Sequence, residues 1–233
     1  MILLMETYQS KSDLYVGGFL YHPFRPTNGT ISKRFKGISM IGILLAAGFS
    51  RRFGIGDKLL HPLTKDCSIA VSSAQNLVKA IPSSIAVVRP GNTELALLLE
   101  DAGLEVAYCS EHDQEMADSL VAAIRATAHL KNASWKNQGF VIALADMPYI
   151  KPETISAVAQ SILSGKSIVI PTYDSQRGHP VGFAAKFRQE LEQLQGDEGA
   201  RSIIKRHPDE VEFLPCDDAG ILKDIDTAED LTI

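Results

Sequence analysis

Several things are scarce in this chain of 233 residues, and each scarcity removes a class of protein. The three cysteines, Cys67, Cys109 and Cys216, are widely spaced, odd in number and form no C-x-x-C pair. That excludes a disulfide scaffold, a zinc knuckle and a thioredoxin-like redox motif. Reduced, largely buried thiols and a cytoplasmic location are the expectation. No apolar run approaches the ~18 residues of a membrane span. Glu6 ends the opening Met1-Ile2-Leu3-Leu4-Met5 far short of a secretory core, so neither export nor a membrane partner is expected. Basic excess is also missing, with 23 Lys and Arg against 28 Asp and Glu. A net charge of −5 excludes a nucleic-acid coat. What is present, 45% hydrophobic and 22% charged residues, is enough to bury a core and argues against extended disorder.

The charge is unevenly spread. Residues 1–39 carry five basic and two acidic side chains, whereas the remainder has a net charge of −8. The stretch from Gly17 to Gly29 is dense in turn formers without a sustained period. A poorly ordered N-terminal extension, 1–39, followed by one domain, 40–233, is therefore expected.

From Met40 onward, apolar runs alternate with segments of helical period. Residues 40–46 form a continuous apolar run, as in a strand buried on both faces. Over 68–81, Ile69, Val71, Ala74, Leu77, Val78 and Ile81 share one helical face. Further strands are predicted over 84–88, 104–108, 140–145 and 167–170. Helices are predicted over 93–102, 116–129 and 152–163, the last opening on Pro152. This rhythm predicts an α/β fold, a single Rossmann-like three-layer α/β/α domain with a mostly parallel sheet. Ligands in such folds gather at the carboxyl ends of the strands.

The first strand runs into Leu45-Ala46-Ala47-Gly48-Phe49-Ser50-Arg51-Arg52-Phe53-Gly54, and Asp57-Lys58-Leu59-Leu60 follows. Small residues at 46–48 let a ligand approach the backbone, and successive N–H groups in such a turn form an anion site. Ser50, Arg52 and Lys58 add a hydroxyl and two positive charges. Lys58 precedes Leu59, so this is not a Walker A loop, and the glycines do not fall in G-x-G-x-x-G order. On these residues alone, an anion-binding turn and an ordinary turn with solvated arginines stand equal. Asp146 ends the most apolar strand and is placed to face the cleft, where magnesium suits one or two carboxylates plus phosphate oxygens.

The 45–60 segment resembles the signature of the MobA-like nucleotidyltransferase superfamily, most nearly the branch containing molybdenum cofactor (molybdopterin) cytidylyltransferase. Other segments match in order: Met116-Ala117-Asp118-Ser119-Leu120, Leu144-Ala145-Asp146-Met147-Pro148, Arg177-Gly178-His179-Pro180-Val181, Gly196-Asp197-x-Gly199-Ala200-Arg201 and Asp224-Ile225-Asp226-Thr227-x-Glu229-Asp230. Glu115, Ala117, Asp118 and Ala228 depart from the family pattern. The likeness runs from about Met40 to the C-terminus and implies a nucleotidyltransferase domain.

By that resemblance, the activity is magnesium-dependent transfer of a nucleoside monophosphate to molybdenum cofactor, with release of pyrophosphate. CMP from CTP is favoured, and a recipient molybdoenzyme is a further partner. Leu45, Ala46, Ala47, Gly48, Ser50, Arg52, Lys58 and Ser119 are implied to hold the nucleotide. Arg52, Lys58 and Asp146 are implied to be catalytic, and Asp146 and Asp226 to hold Mg2+. Asp224, two residues earlier, is equally able to face the cleft if the segment is extended. Arg177, Gly178, His179, Asp197 and Arg201 are implied to bind the acceptor, although a structural role for His179 carries equal weight. Ala47 stands where the guanylyl branch has a second glycine, and its methyl group narrows a base pocket towards a pyrimidine. Three other readings are guanylyl or other nucleotidyl transfer to a different phosphorylated acceptor, a Rossmann-like oxidoreductase, and a non-catalytic carrier of molybdenum cofactor. The oxidoreductase lacks its glycine fingerprint, and Arg89 stands where an acidic residue would hold a ribose.

Overall fold

In the computed structural model, residues 39–48, 53, 56–110, 116–130, 137–196 and 198–231 are described. The expected N-terminal extension up to residue 38, together with Ser50, Arg52 and Asp197, lies outside them. The first strand, β1 (Ser39–Leu45), sends Ile41 and Ile43 into one core and Met40 and Leu44 into the other. A strand with two buried faces needs apolar residues throughout, which explains the unbroken run. Gly42 is the exception, because a Cβ there would collide with Ser84 Oγ and press on Leu77. Glycine lets the neighbouring elements close on the strand.

The chain continues through a hairpin, β2 (Pro62–Thr64) and β3 (Cys67–Ser68), into α1 (Ile69–Ala80) and β4 (Ser84–Val88). Then come α2 (Thr93–Asp101), β5 (Glu105–Tyr108), α3 (Met116–Ala126), β6 (Asn137–Leu144), α4 (Pro152–Leu163) and β7 (Ile168–Tyr173). Last are β8 (Gln176–Arg177), β9 (Val181–Ala184), α5 (Arg188–Glu192), α6 (Arg201–Arg206) and β10 (Val211–Pro215). The main sheet has the order β10-β7-β9-β6-β1-β4-β5, with β8 pairing to β7. Strands β6, β1, β4 and β5 are mutually parallel, as are β7 and β10, while β9 runs antiparallel between β6 and β7. Helices α1, α2 and α4 cover one core, and α3, α5 and α6 cover the other. The three-layer expectation is met, with a sheet more mixed than the strand-helix rhythm suggested.

Element ends differ by a residue or a turn. The predicted helix 116–129 ends at Ala126 and finishes as a 3-10 turn, Thr127–His129. On α1 the fully buried stripe is Ile69, Ala70, Ser73, Ala74 and Leu77, so Val71 and Val78 are only half-buried. No helix among the described residues is long and apolar enough to cross a membrane. Burial raises the Cys67 and Cys216 thiols above their ordinary pKa, which leaves them weak nucleophiles.

One buried carboxylate stitches the C-terminal segment to the start of α4. Asp218 is 2% exposed. It accepts from the Lys151 backbone N–H at 2.9 Å, the Thr154 hydroxyl at 2.6 Å and the Gly220 N–H at 3.0 Å. It thus caps the start of α4 from a distant segment. Asp218→Ala would strand these donors and is expected to cost about 2–4 kcal/mol. A urea melt checks this, and an unchanged midpoint would show that the donors find other partners.

Candidate active site

The carboxyl ends of β1, β4 and β6 lie side by side, because the three strands are parallel and adjacent. Ala46 to Gly48 follow β1 directly, and the sheet's hydrogen bonds continue to its end. Ala46 N–H donates to Val87 O at 3.0 Å, and Leu45 O accepts from Ala145 N–H at 3.0 Å. The Arg89 guanidinium holds the Ala47 carbonyl through Nε at 2.7 Å. Ala46 and Ala47 are buried, whereas Gly48 is exposed and a Cβ there would meet nothing within 4 Å. Among the described residues nothing crowds Gly48, the exposed end of this turn.

Lys58 heads a short 3-10 turn, Lys58–Leu60. Asp57 caps it: Oδ1 accepts from Leu59 N–H at 2.9 Å, and Oδ2 accepts from Asn92 Nδ2 at 2.6 Å. Asn92 is itself the cap of α2. The backbone that carries Lys58 is thereby tied to the loop after β4.

The Lys58 ammonium donates to Asp146 Oδ2 and to Asp226 Oδ1, both at 2.9 Å. Burial alone would lower its pKa, but the hydrogen bonds and charges of Asp146 and Asp226 outweigh burial and hold it above the ordinary lysine value. Lys58 is 8% exposed, a low value for a lysine, which such pairing permits. Three residues separated by 88 and 168 positions along the chain thus meet at one nitrogen.

Their placement depends on residues that the motif reading did not single out. Ser73 Oγ donates to Ala145 O at 2.9 Å, and Asn76 Nδ2 and Ser72 Oγ donate to Pro148 O. One face of α1 therefore holds the backbone on both sides of Asp146. Asp146 O accepts from Ile225 N–H at 2.9 Å, which brings the 224–226 segment alongside. Asp230 then accepts from the backbone N–H groups of Asp226 and Thr227 and from the Thr227 hydroxyl. These bonds hold the Asp230 carboxyl below the usual carboxylate range. The signal for Asp230 and Thr227 was present in the Asp226-Thr227-x-x-Asp230 spacing, a turn in which an acidic side chain closes on N–H groups behind it. Nothing local marked Ser73 or Asn76 apart from polarity on a helix face.

Asp224 and Asp226 have separate surroundings: Asp226 meets Lys58, and Asp224 lines a neighbouring cavity of about 580 Å³. That cavity also takes in Leu45, Arg177, Gly178, His179 and Arg201. Ser119 is buried in α3 and is not among its lining residues. The Arg177 guanidinium lies 4.5 Å over the Phe213 ring. Gly178 is required where it stands, since a Cβ would collide with Ile221 O. His179 N–H donates to that same carbonyl at 3.0 Å.

The His179 Nδ1 is buried and has no hydrogen-bond partner among the described residues. Burial, helped by the charge of Arg201, lowers the imidazole pKa below its ordinary 6.5, against the pull of Asp146 and Asp224. The ring is therefore neutral at pH 7. Below pH 6.5 the unfolded chain takes up a proton that the folded chain resists, so this residue makes stability fall as the solution is acidified. Melting curves between pH 7 and pH 5 should fall less steeply in His179→Asn than in the wild type, and identical slopes would contradict the lowered pKa.

Among the described residues no three His, Cys, Asp or Glu side chains gather as a cation site. The Asp146 and Asp226 carboxylates, which meet at the Lys58 ammonium, could offer two ligands to a divalent ion and leave further positions to phosphate oxygens and water. That donor set fits magnesium, which keeps few protein ligands.

The sequence profile of the MobA-like NTP transferase domain matches residues 42–211. Nicotine blue oxidoreductase from Paenarthrobacter nicotinovorans is 28% identical over 200 residues, covering 82% of this chain and 93% of its own length. Purine catabolism protein PucB from Bacillus subtilis (strain 168) is 27% identical over 199 residues, with the same two coverages, 82% and 93%. Among solved structures, Rv0371c from Mycobacterium tuberculosis H37Rv superposes with a TM-score of 0.67 at 24% identity, covering 84% of this chain and 96% of that one. The same mycobacterial protein has been solved in complex with manganese, with a TM-score of 0.65 at 23% identity and coverages of 83% and 96%.

Proposed function

The chain belongs to the MobA-like NTP transferase family, and from that premise we propose that it transfers CMP from CTP to molybdenum cofactor and releases pyrophosphate. The observation that carries this reading is the meeting of Lys58, Asp146 and Asp226 at the carboxyl edge of the sheet, beside a cavity with room for an acceptor. In the proposed reaction an acceptor phosphate oxygen forms a bond to the α-phosphorus. The bond from that phosphorus to the bridging oxygen breaks, and pyrophosphate leaves with the electron pair. No general base is required, because a phosphate acceptor is already ionised at neutral pH.

The protein's contribution is position and charge. The turn at Ala46, Ala47 and Gly48, exposed at Gly48, receives the nucleotide, with Leu45, Ser50 and Ser119 as further nucleotide residues. Lys58 and Arg52 oppose the charge that builds up on the leaving pyrophosphate. Asp146 and Asp226 would hold magnesium, which supplies charge neutralisation at the phosphate oxygens when bound. On the acceptor side, Arg177 and Arg201 line the cavity and Gly178 lets its loop pack against Ile221, with Asp197 as a further acceptor residue. The unpartnered His179 Nδ1 offers a neutral hydrogen-bonding atom to the acceptor. A molybdoenzyme would then receive the product.

The preference for CTP rests on Ala47 and on the Arg177-Gly178-His179-Pro180-Val181 segment. A single methyl group in a base pocket is worth about 1–3 kcal/mol, or roughly 10–200-fold in discrimination. Pyrophosphate release measured side by side with CTP, GTP, ATP and UTP, with magnesium and molybdenum cofactor, should favour CTP. A preference for GTP would overturn the cytidylyl assignment and leave nucleotidyl transfer standing.

One observation favours a second reading, hydride transfer: the name of the Paenarthrobacter relative. Two features of this chain weigh against it. Arg89 follows β4 where an acidic residue would bind a ribose, and the turn after β1 lacks the G-x-G-x-x-G spacing.

A further inference from the structure

A lysine that only gripped phosphates would reach outward from its turn, yet Lys58 reaches inward. Its side chain is 9% exposed and lies between an Asp146 side chain that is 24% exposed and an Asp226 side chain that is 43% exposed. Both carboxylates spend an oxygen on the same ammonium. The Asp57 cap and the Asn92 tether fix the backbone from which it extends.

We propose that the Lys58 ammonium is an internal counter-ion that competes with the divalent cation for the Asp146–Asp226 pair, so that the cation binds tightly only when a polyphosphate draws Lys58 away. The proposal rests on the reading of Asp146 and Asp226 as cation ligands. It adds an order of events and a second station for Lys58. A magnesium ion takes carboxylate oxygens at ~2.1 Å, and a second cation cannot keep its hydrogen bonds to those oxygens in full. Charge gives the same result: with the ammonium in place the two carboxylates present about half of their negative charge to an arriving divalent ion, so the ion is held less tightly. A triphosphate reverses the balance: it offers Lys58 several anionic oxygens and shares the divalent ion with the two aspartates. Cation and polyphosphate should therefore reinforce each other's binding, and by linkage the reinforcement is mutual.

The test is a manganese titration of the full chain without nucleotide, followed by electron paramagnetic resonance of the unbound ion. Lys58→Met should bind one Mn2+ about tenfold more tightly than the wild type, or better, since a competing full charge has been removed. Lys58→Arg, which keeps the charge, should stay close to the wild type. Lys58→Met combined with Asp146→Asn should lose the gain, which would place the ion on these carboxylates. If Lys58→Met does not fold, Lys58→Gln replaces it, because it keeps a donor and loses the charge. Mn2+ affinity in the folded uncharged variant that equals or falls below the wild-type value overturns the proposal. Failure of the transferase reading is separately visible. Tight Mn2+ binding by the variant, with no pyrophosphate release by the wild type, would leave the competition standing and remove the proposed reaction.

Discussion

Asp146→Asn is expected to lower metal-dependent pyrophosphate release by about a thousandfold or more, because the charge that positions the cation is lost. The amide has the shape of the carboxylate, so packing should survive. The Asp146 carbonyl keeps its bond from Ile225 N–H, and Ser73 keeps its hold on Ala145 O. Lys58 retains Asp226 as a partner. A melting temperature near the wild-type value with lost turnover is the predicted pair of results. Turnover at the wild-type level in the folded variant would remove Asp146 from the chemistry.

Lys58→Met is expected to lower kcat by about 10²–10³-fold, the usual loss when one charge facing a developing anion is removed. It should do so even though the same substitution tightens manganese binding in the resting protein. The two effects have opposite signs because the ammonium has two stations: it opposes the metal at the carboxylates and assists departure at the pyrophosphate. Single-turnover measurements at saturating CTP and metal separate the chemical step from metal loading. A wild-type kcat in the variant at saturating CTP and metal would show that Lys58 serves the carboxylates alone.

Much of this site can be read along the chain because its parts sit where local chemistry repeats. The apolar run 40–46 can only be a strand with two buried faces, and small residues directly after it mark a turn that a ligand can approach. Asp146 is legible for the same reason, as a charged residue two positions beyond the apolar end of strand β6. Asp226 is less so. Only the bond from Ile225 to Asp146 O and the Asp230 turn distinguish it from Asp224, and the first of these is a contact across 79 residues.

What stayed hidden depends on tertiary contact. Strand β9 has four residues beside Pro180 with a glycine inside, weak material for a strand. It is paired because β6 and β7 leave a place between them. The β7–β8 hairpin turns at Asp174 and Ser175, both with positive φ, without the Asn-Gly that would announce such a turn. Nothing in the Asp217-Asp218 pair itself marks Asp218 for burial; Lys151, Thr154 and Gly220 converge on it only in the fold. Lys58 was expected at the phosphates, and its meeting with two distant carboxylates carries no local mark at all.

Nucleotidyl transfer can be followed from the α-phosphate of the donor to the acceptor. CTP labelled at its α-phosphate is incubated with the full chain, magnesium and molybdenum cofactor, and both label in the acceptor and pyrophosphate are followed. A reduced nicotinamide dinucleotide is supplied in a parallel reaction. The account predicts that label moves to the acceptor with one pyrophosphate released per transfer, and that the nicotinamide absorbance does not change. Absence of pyrophosphate release with CTP, and with GTP, ATP or UTP in its place, would contradict nucleotidyl transfer, and oxidation of the nicotinamide would point to hydride transfer instead.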